Sequence, residues 1–375
     1  MPRYIHELPD WPAFHWDDLA LAPALAAVRE QRARLLGRMA AVGFDLRTEA
    51  DLTTMTADVL RTSEIEGDVL DPAQVRSSLA RRLGLDVSGA PPVDRHVDGV
   101  VEMLLDATRN CHDTLTADRL FGWHAALFPT GRNGMLKILV GQWRDDSTGP
   151  MQVVSGSMGR EKVHYEAPAA SRLKKEMATF LKWVNAGSTP GASARNTVDP
   201  LIKAGLGHFW FVTLHPFEDG NGRMGRAVAD LLLARADGSP QRFYSMSAQI
   251  RNERKKYYDI LERSQRGTLD ITEWLAWFLA CLGRAITASE SQLAGVLSKH
   301  RFWQKHATTV LNPRQVKVLT KLFAGFEGQL TSSKYAKLAK TSQDTAARDI
   351  ADLMTKKILK KGKAGGRSTH YEVIL

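Results

Sequence analysis

His215-Pro216-Phe217-Glu218-Asp219-Gly220-Asn221-Gly222-Arg223-Met224-Gly225-Arg226 gathers a candidate base, two carboxylates, three glycines, an asparagine and two arginines into one stretch. The apolar run Phe209 to Leu214 precedes it, and Ala227, Val228, Leu231 and Leu232 follow at helical spacing. A proline after His215 disfavours the right-handed helical region for the histidine, so any helix entering the stretch should stop there. Gly220 and Gly222 allow tight turns and close approach to a ligand. The stretch therefore reads as a loop feeding a helix N-terminus, where free N–H groups and the helix dipole favour an anion.

Around this loop the chain of 375 residues has room for two or three domains. Apolar residues make up 43% and charged residues 25%, as in ordinary globular proteins. No apolar run approaches the ~18 residues of a membrane span. The start, Met1-Pro2-Arg3-Tyr4-Ile5-His6-Glu7, lacks an apolar signal core, so a cytoplasmic protein without membrane association is expected. Cys111 and Cys281 stand alone and are expected to be buried, inert thiols. Charge is uneven: from Leu297 onward there are 16 Lys+Arg against 5 Asp+Glu, whereas the first 296 residues carry 35 against 36. The whole net charge of +10 thus resides in the tail, which marks a separate module and hints at a polyanionic partner.

Residues 1 to about 18 read as an irregular aromatic arm, followed by helices over Leu19–Val42 and Glu49–Ile65. The second ends in Thr62-Ser63-Glu64-Ile65-Glu66-Gly67, with Gly67 as a C-cap, and Asp71-Pro72 opens another helix. Gly89-Ala90-Pro91-Pro92 is a short break. Helical patterns resume through Val100 to Ala107 and Leu120 to Leu127. Between Gly131 and Pro168 glycines are frequent and β-prone pieces (Lys137–Val140, Met151–Val154, Val163–Tyr165) predict one small hairpin turning at Gly156-Ser157-Met158-Gly159. Further helices are expected over Ala169–Asn185, Asp199–Thr213, from the loop to about Ala236, over Ser247–Arg263, and from Ile271 to about Trp303 as one or two pieces.

In the tail, Pro313 opens a helix with Val316, Leu319 and Phe323 at core spacing, and Thr331–Ala339 is a shorter one. Thr341 is the expected cap of a third, with Asp344 as capping-box partner and Ile350, Leu353 and Met354 as its apolar stripe. Lys356, Lys357, Lys360, Lys361 and Lys363 crowd its end, and Gly365-Gly366 with Thr369–Leu375 suggest a two-stranded wing. The order resembles a winged helix-turn-helix domain over about residues 305–375, a family whose third helix docks in the DNA major groove. Ser342, Gln343, Thr345 and Arg348 would then face DNA; a solvated basic face or a protein-binding module is the plainer alternative.

Three readings compete for the loop. Gly220-Asn221-Gly222-Arg223-Met224-Gly225 satisfies G-x-G-x-x-G, but five residues separate Leu214 from the first glycine and no strand-borne acid follows about 20 residues on, as a dinucleotide fold requires. A simple helix cap leaves the histidine, the acid and both arginines unexplained. Phosphate chemistry uses them all: backbone N–H groups at Gly220 to Gly222, with Asn221, to hold a phosphate, Arg223 and Arg226 to clamp the others, Asp219 for Mg2+, and His215 to take a proton from an attacking hydroxyl. No G-x-x-x-x-G-K-[ST] loop occurs, so an ordinary P-loop enzyme is excluded.

The stretch is similar to the Fic-domain signature H-P-F-x-[D/E]-G-N-G-R-x-x-R at every specified position. The resemblance implies a mainly α fold: a helical Fic core with a small β-hairpin flap at residues 95–295, a helical N-terminal region at 1–94, and the tail domain at 305–375. It implies transfer of AMP from ATP to a Ser, Thr or Tyr hydroxyl of a target protein, the chain itself included, in a homodimer. His215 would be the base, Asp219 the Mg2+ ligand, and Gly220, Asn221, Gly222, Arg223, Met224, Gly225 and Arg226 the phosphate cradle. Tyr258, with Tyr257, would hold adenine, and Val163, His164 and Tyr165 of the flap would align the target. Thr62, Ser63 and Glu66 fit the family's inhibitory motif [S/T]-x-x-x-E-[G/N], in which Glu66 pairs with Arg226 and Ser63 lies at the nucleotide pocket. Two alternatives stay open: a Fic relative that removes AMP or transfers another phosphoryl-bearing group, and a DNA-binding regulator whose Fic core senses nucleotide.

Overall fold

The loop at 215–220 joins two helices buried on every side, and that burial explains the architecture around it. The computed structural model describes residues 3–85, 91–147, 149–156, 160, 162–186, 198–323, 328–362 and 369–374. They form a mainly helical fold with a few short antiparallel strand pairs. The chain divides into two compact units, Met1–Glu290 and Ser291–Leu375.

The first unit starts with an arm that carries a 3-10 turn, Ile5–Glu7. Then come α1 (Asp18–Ala40), α2 (Phe44–Ile65), α3 (Pro72–Arg82), α4 (Arg95–Arg109) and α5 (Ala117–Leu127). Asp17 and Asp71 cap α1 and α3 through their carboxylates, and Gly67, at φ +88°, takes the left-handed turn after α2. Two antiparallel pairs follow, β1 (Arg132–Asn133) with β2 (Leu136–Lys137), and β3 (Gln152–Ser155) with β4 (Lys162–Glu166). One hairpin was expected before residue 300; among the described residues there are two, and Lys137 pairs back with Arg132 instead of starting a strand to Val140. Ser157, Met158 and Gly159 of the expected turn lie outside the described residues, as do Gly89 and Ala90.

Helices α6 (Ala170–Asn185), α7 (Pro200–Leu214) and α8 (Asn221–Asp237) complete the frame of the loop. Asp199 accepts from the Leu201 and Ile202 N–H groups, and Pro200 fills the first helical position of α7. An added Cβ on Gly207 of α7 would come within 2.5 Å of Leu232 of α8, and one on Gly225 of α8 within 2.5 Å of Val212 of α7. Each helix thus gives up a side chain so that the backbones approach closely. The expected helix Ser247–Arg263 is two, α9 (Met246–Asn252) and α10 (Arg254–Gln265), broken at Glu253, whose carboxylate is held by Arg284 at 2.6 Å. Ile271 onward is one helix, α11 (Thr272–Lys305), which contributes to both units. Cys111 and Cys281 are buried, and among the described residues no helix is long and apolar enough to cross a membrane.

The second unit packs α12 (Pro313–Phe323), α13 (Ser332–Ala339), α14 (Gln343–Thr355) and the antiparallel pair β5 (Leu359–Lys361) and β6 (Tyr371–Val373) around Phe302, Leu319, Tyr335, Ile350 and Leu353. Three details depart from expectation. Ser342, not Thr341, caps α14, through its hydroxyl to the Thr345 N–H, so no Thr341–Asp344 capping box forms. Val318 takes the core position expected for Val316, which is exposed, and Met354 is exposed too. Lys363, Gly365 and Gly366 lie outside the described residues.

Gly99 provides a test of the frame. A Cβ there would lie 1.8 Å from the Ala126 carbonyl oxygen, whereas Gly122, on the exposed side of α5, has nothing within 4 Å. Gly99→Ala should lower stability by about 1–3 kcal/mol through overpacking, and Gly122→Ala should raise it by up to about 1 kcal/mol through helix propensity. Urea unfolding followed by circular dichroism reads both; equal effects would refute this account of α4–α5 packing.

Candidate active site

His215 is the last residue of the α7 turn, and its backbone lies in the left-handed region, φ 48° and ψ 57°. A non-glycine residue holds that conformation only where its surroundings enforce it. Here the His215 N–H closes on Phe211 O at 3.1 Å, while its carbonyl accepts from Arg144 Nε at 2.8 Å. The turn beyond is closed by Asn221, whose Oδ1 accepts from the Phe217 N–H at 3.0 Å and whose Nδ2 donates to Phe217 O at 2.8 Å. The Asn221 side chain is therefore occupied in shaping the loop. Gly220, at φ 78°, starts α8 where a Cβ would meet the Phe128 ring at 2.9 Å.

Arg144 was not singled out by sequence, since no periodicity or motif marks Trp143-Arg144-Asp145. Its backbone N–H donates to Pro216 O and its guanidinium also reaches Pro168 O and Asp146, so it ties the loop to the base of the β3–β4 hairpin. His124 is a second unmarked support: it stacks on Phe217 with centroids 4.2 Å apart and its Nε2 lies 3.2 Å from Asp219 O. Glu218 Oε2 accepts from the Leu139 N–H at 2.8 Å. Asp219 takes the Gly220 N–H on Oδ1 and the Asn133 amide on Oδ2, so the Gly220 donor expected for a phosphate is engaged within the loop.

The His215 ring lies 3.2 Å from Val212 O through Nδ1. A carbonyl only accepts, so Nδ1 carries the proton and Nε2 keeps its lone pair. Burial lowers the imidazole to about 4, against the opposing pull of the Val212 carbonyl, Asp219 and Glu66. The ring is thus neutral at pH 7 and able to accept a proton.

A cavity of about 780 Å³ opens beside this ring. Its wall brings together Glu66, His215, Asp219, Gly220, Asn221, Gly222, Tyr257, Tyr258, His164 and Tyr165 from the expected set. Tyr258 is 37% exposed with the Arg254 guanidinium over its ring, whereas Tyr257 is a buried residue whose hydroxyl meets His208 Nε2 at 2.9 Å. Off the wall lie Thr62, Ser63, Val163, Arg223, Met224, Gly225 and Arg226. Met224 is core, and Gly225 serves the α7–α8 contact. Ser63, expected at the pocket, is fully buried, because its position on α2 turns inward; its carbonyl accepts from the Glu66 and Asp68 N–H groups.

The arginines do not project into the cavity as expected. Arg226 is 2% exposed and turns toward α2: Nε donates to Thr62 Oγ1 at 2.8 Å, and Nη2 to Thr62 O at 2.9 Å and to Glu66 Oε1 at 2.7 Å. Burial opposes its charge, and Glu66 together with Tyr257 and Tyr258 more than offsets this, leaving the guanidinium more firmly protonated than usual. Nη1 is buried without a partner. Arg223 lies over the Phe128 ring with Nη1 3.9 Å from Asp68. A Cβ on Gly222 would lie 2.3 Å from Glu66 Oε1, so a side chain there would displace the tip of the glutamate.

The β3–β4 hairpin forms another part of the wall. Tyr165 is buried and donates to Thr213 O at 2.7 Å, beside the end of α7, while Tyr4 and His6 of the arm pack on its ring. Arg266 donates to the Val163 and His164 carbonyls, and His164 Nδ1 meets Glu262 at 2.6 Å. The N-terminal arm and α10, with Arg266 at its end, therefore hold the hairpin beside the loop.

Comparison with known proteins places this geometry. Residues 114–233 match the Fic/DOC family, and residues 4–85 match a domain of unknown function, DUF4172. The protein adenylyltransferase Fic of Culex quinquefasciatus is 25% identical over 231 residues, 59% of this chain and 39% of that protein. That of Nematostella vectensis is 31% identical over 123 residues, 32% of this chain and 25% of that protein. The chain thus spans well under half the length of these curated relatives. A Fic family protein from Desulfovibrio desulfuricans has a TM-score of 0.50 at 21% identity, covering 94% of this chain and 96% of that one. A Fic-domain-containing signalling protein from Bacteroides thetaiotaomicron has a TM-score of 0.52 at 18% identity, covering 72% and 98%. At those identities the likeness establishes the fold. Since the family match spans the loop together with α7 and most of α8, this chain carries a Fic domain at residues 114–233.

Proposed function

We propose that the chain is a protein adenylyltransferase that transfers AMP from ATP to a hydroxyl of a target protein, and that Glu66 holds it inactive. The observation carrying this reading is the Glu66–Arg226 contact at 2.7 Å, beside a glycine whose Cβ position the Glu66 carboxylate occupies. Nucleotidyl transfer of the Fic type is supported by the family match and by relatives named for it.

In this reading the acceptor oxygen attacks the α-phosphorus, its proton passes to His215 Nε2, and the bond to the bridging oxygen breaks to release pyrophosphate. Donors in the first turn of α8, with Arg223 and Arg226 once turned toward the cavity, hold the phosphates. Tyr258 offers a face for adenine. Asp219 presents a hard carboxylate on the cavity wall, and among the described residues no group of three or more His, Cys, Asp or Glu could hold a metal without help. That suits Mg2+, which takes one or two carboxylates together with substrate phosphates and water. Bound there, it would neutralise charge on the leaving pyrophosphate.

Glu66 acts twice in this scheme. It occupies the Arg226 guanidinium and presents a negative carboxylate to the triphosphate. Glu66→Gly should therefore raise initial transfer from α-labelled ATP to a target protein at least about tenfold, and His215→Ala in that background should abolish transfer to the target. Equal rates for wild type and Glu66→Gly would sink the inhibition, and removal of AMP by wild type alone would assign the Glu66 carboxylate to hydrolysis.

The pH dependence follows from His215. Its depressed value keeps the base form down to about pH 4, and loss of the Glu66 charge, which favours imidazolium, moves it lower still. For Glu66→Gly, kcat/KM should stay level from pH 8 to about 5 and fall only below that. An acid limb at the ordinary histidine value of about 6.5 would contradict the assigned environment.

A second reading, binding of duplex DNA by residues 291–375, is favoured by how α14 is held. Its rear is fixed by Asp349 to Arg314 and Asn312 and by Ile350 and Leu353 in the core, while Ser342, Gln343 and Arg348 are exposed at its front. That is the presentation a winged helix-turn-helix makes to a major groove. Binding measured by fluorescence anisotropy should weaken steeply with salt, and Arg348→Ala should cost about 1–3 kcal/mol on a preferred sequence. Affinity indifferent to salt would exclude it.

A further inference from the structure

Outside the loop, one other cluster on the cavity wall has the geometry of an activated nucleophile. Ser155 Oγ lies 2.6 Å from His164 Nε2, and His164 Nδ1 lies 2.6 Å from Glu262 Oε2. A carboxylate only accepts, so Nδ1 bears the proton and Nε2 accepts from the serine hydroxyl. The order hydroxyl, imidazole, carboxylate is that of a relay which raises the nucleophilicity of the hydroxyl. All three residues line the same cavity as His215, Asp219 and Glu66.

A register irregularity creates the cluster. Val153 pairs with Tyr165, but Val154 pairs with Val163 and Ser155 with Lys162. In an unbroken antiparallel ladder His164 would pair with Val154 and face away from Ser155. The extra residue in β4 re-aims the imidazole toward the serine, a placement bulges often serve beside active sites. Glu262 is held by more than the histidine, with Lys162 Nζ at 4.0 Å and Arg266 at 3.5 Å from its other oxygen. Arg266 also grips the Val163 and His164 carbonyls, so the relay rests on a fixed strand.

We infer that Ser155 is an acceptor of AMP within the chain, activated by His164 with Glu262 as the positioning residue. This rests on the transfer activity proposed above and names a substrate for it. The Ser155 oxygen bonds to the α-phosphorus of ATP, its proton moves to His164 Nε2, and the α–β bridging oxygen leaves with its electron pair in pyrophosphate. The product carries a phosphodiester on the hairpin at the cavity wall, where a target segment would otherwise align.

The test uses the full-length Glu66→Gly variant with MgATP, alone and with cell lysate as a source of other acceptors, read by peptide mass spectrometry. The modified peptide of the chain should carry AMP on Ser155; Ser155→Ala should remove that label, and Ser155→Thr should restore it on the threonine. His164→Gln should slow it about a hundredfold, the usual worth of a general base. Glu262→Gln should slow it about tenfold, and Glu262→Asp, which keeps the carboxylate, should restore part of that rate. AMP on another residue of the chain, or an unlabelled chain beside labelled lysate proteins, overturns this inference alone. No label on either overturns the transfer activity and this inference with it.

Discussion

The site depends on a single turn being closed. Two buried helices must reverse direction between Leu214 and Asn221, and the reversal puts His215 in a left-handed conformation of order 1–3 kcal/mol above its preferred one. Asn221 spends both ends of its amide on the Phe217 backbone to keep it shut. Arg144 adds bonds to the carbonyls of His215, Pro216 and Pro168. The glycines matter for the same reason: Gly220 supplies the positive φ, and Gly225 lets α8 approach α7 closely enough for the turn to be short. The imidazole orientation, and with it the free Nε2, follows from this backbone and not from any partner in the cavity.

Burial sets the second constraint. A guanidinium 2% exposed must be paired, because leaving a buried charge uncompensated costs several kcal/mol. Arg226 finds its partners on α2, in Thr62 and Glu66. The same two helices are tied again further along by buried ionic groups. Arg242 bridges Asp230 and Asp237 of α8 and donates its backbone N–H to Asp51 of α2, while Asp58 of α2 accepts from Ser245. Burial and the nearby Asp58 push the Asp230 carboxyl above the usual carboxylate range, against the pull of Arg242. α2 is thus anchored to α8 along its length, and Glu66 stands at the end of a fixed element.

Much of this was legible in the residues, and what was not has identifiable causes. Pro216 announced the end of α7, Asp71-Pro72 the start of α3, and the loop signature the Fic fold. The pattern over 247–263 is helical throughout and does not mark the break at Glu253, whose carboxylate partner Arg284 lies 31 residues on. The β1–β2 pair is only two residues long on each side, too short for alternation to register. Serine and threonine both cap helices, so the pair Thr341-Ser342 offered two adjacent starts for α14, and the structure uses Ser342. At the site, residue types were readable but their orientation was not. Nothing in the spacing of Arg223 and Arg226 could say that both turn away from the cavity, because what turns them lies at 62–68 and 128.

Gly222 brings these constraints to one point. The volume a Cβ would need there is filled by Glu66 Oε1, and Arg226 Nη1 is 3.3 Å from the same position. An anion at the start of α8 would draw on the same guanidinium and the same dipole that now hold the carboxylate. Two negative groups cannot both be neutralised by one arginine at that separation without large repulsion. The two occupants are therefore alternatives, and the glycine admits either because it has no side chain of its own. On the proposed reading, inhibition needs no conformational change in the loop: it requires only that an element already bolted to α8 place one carboxylate where a phosphate would go.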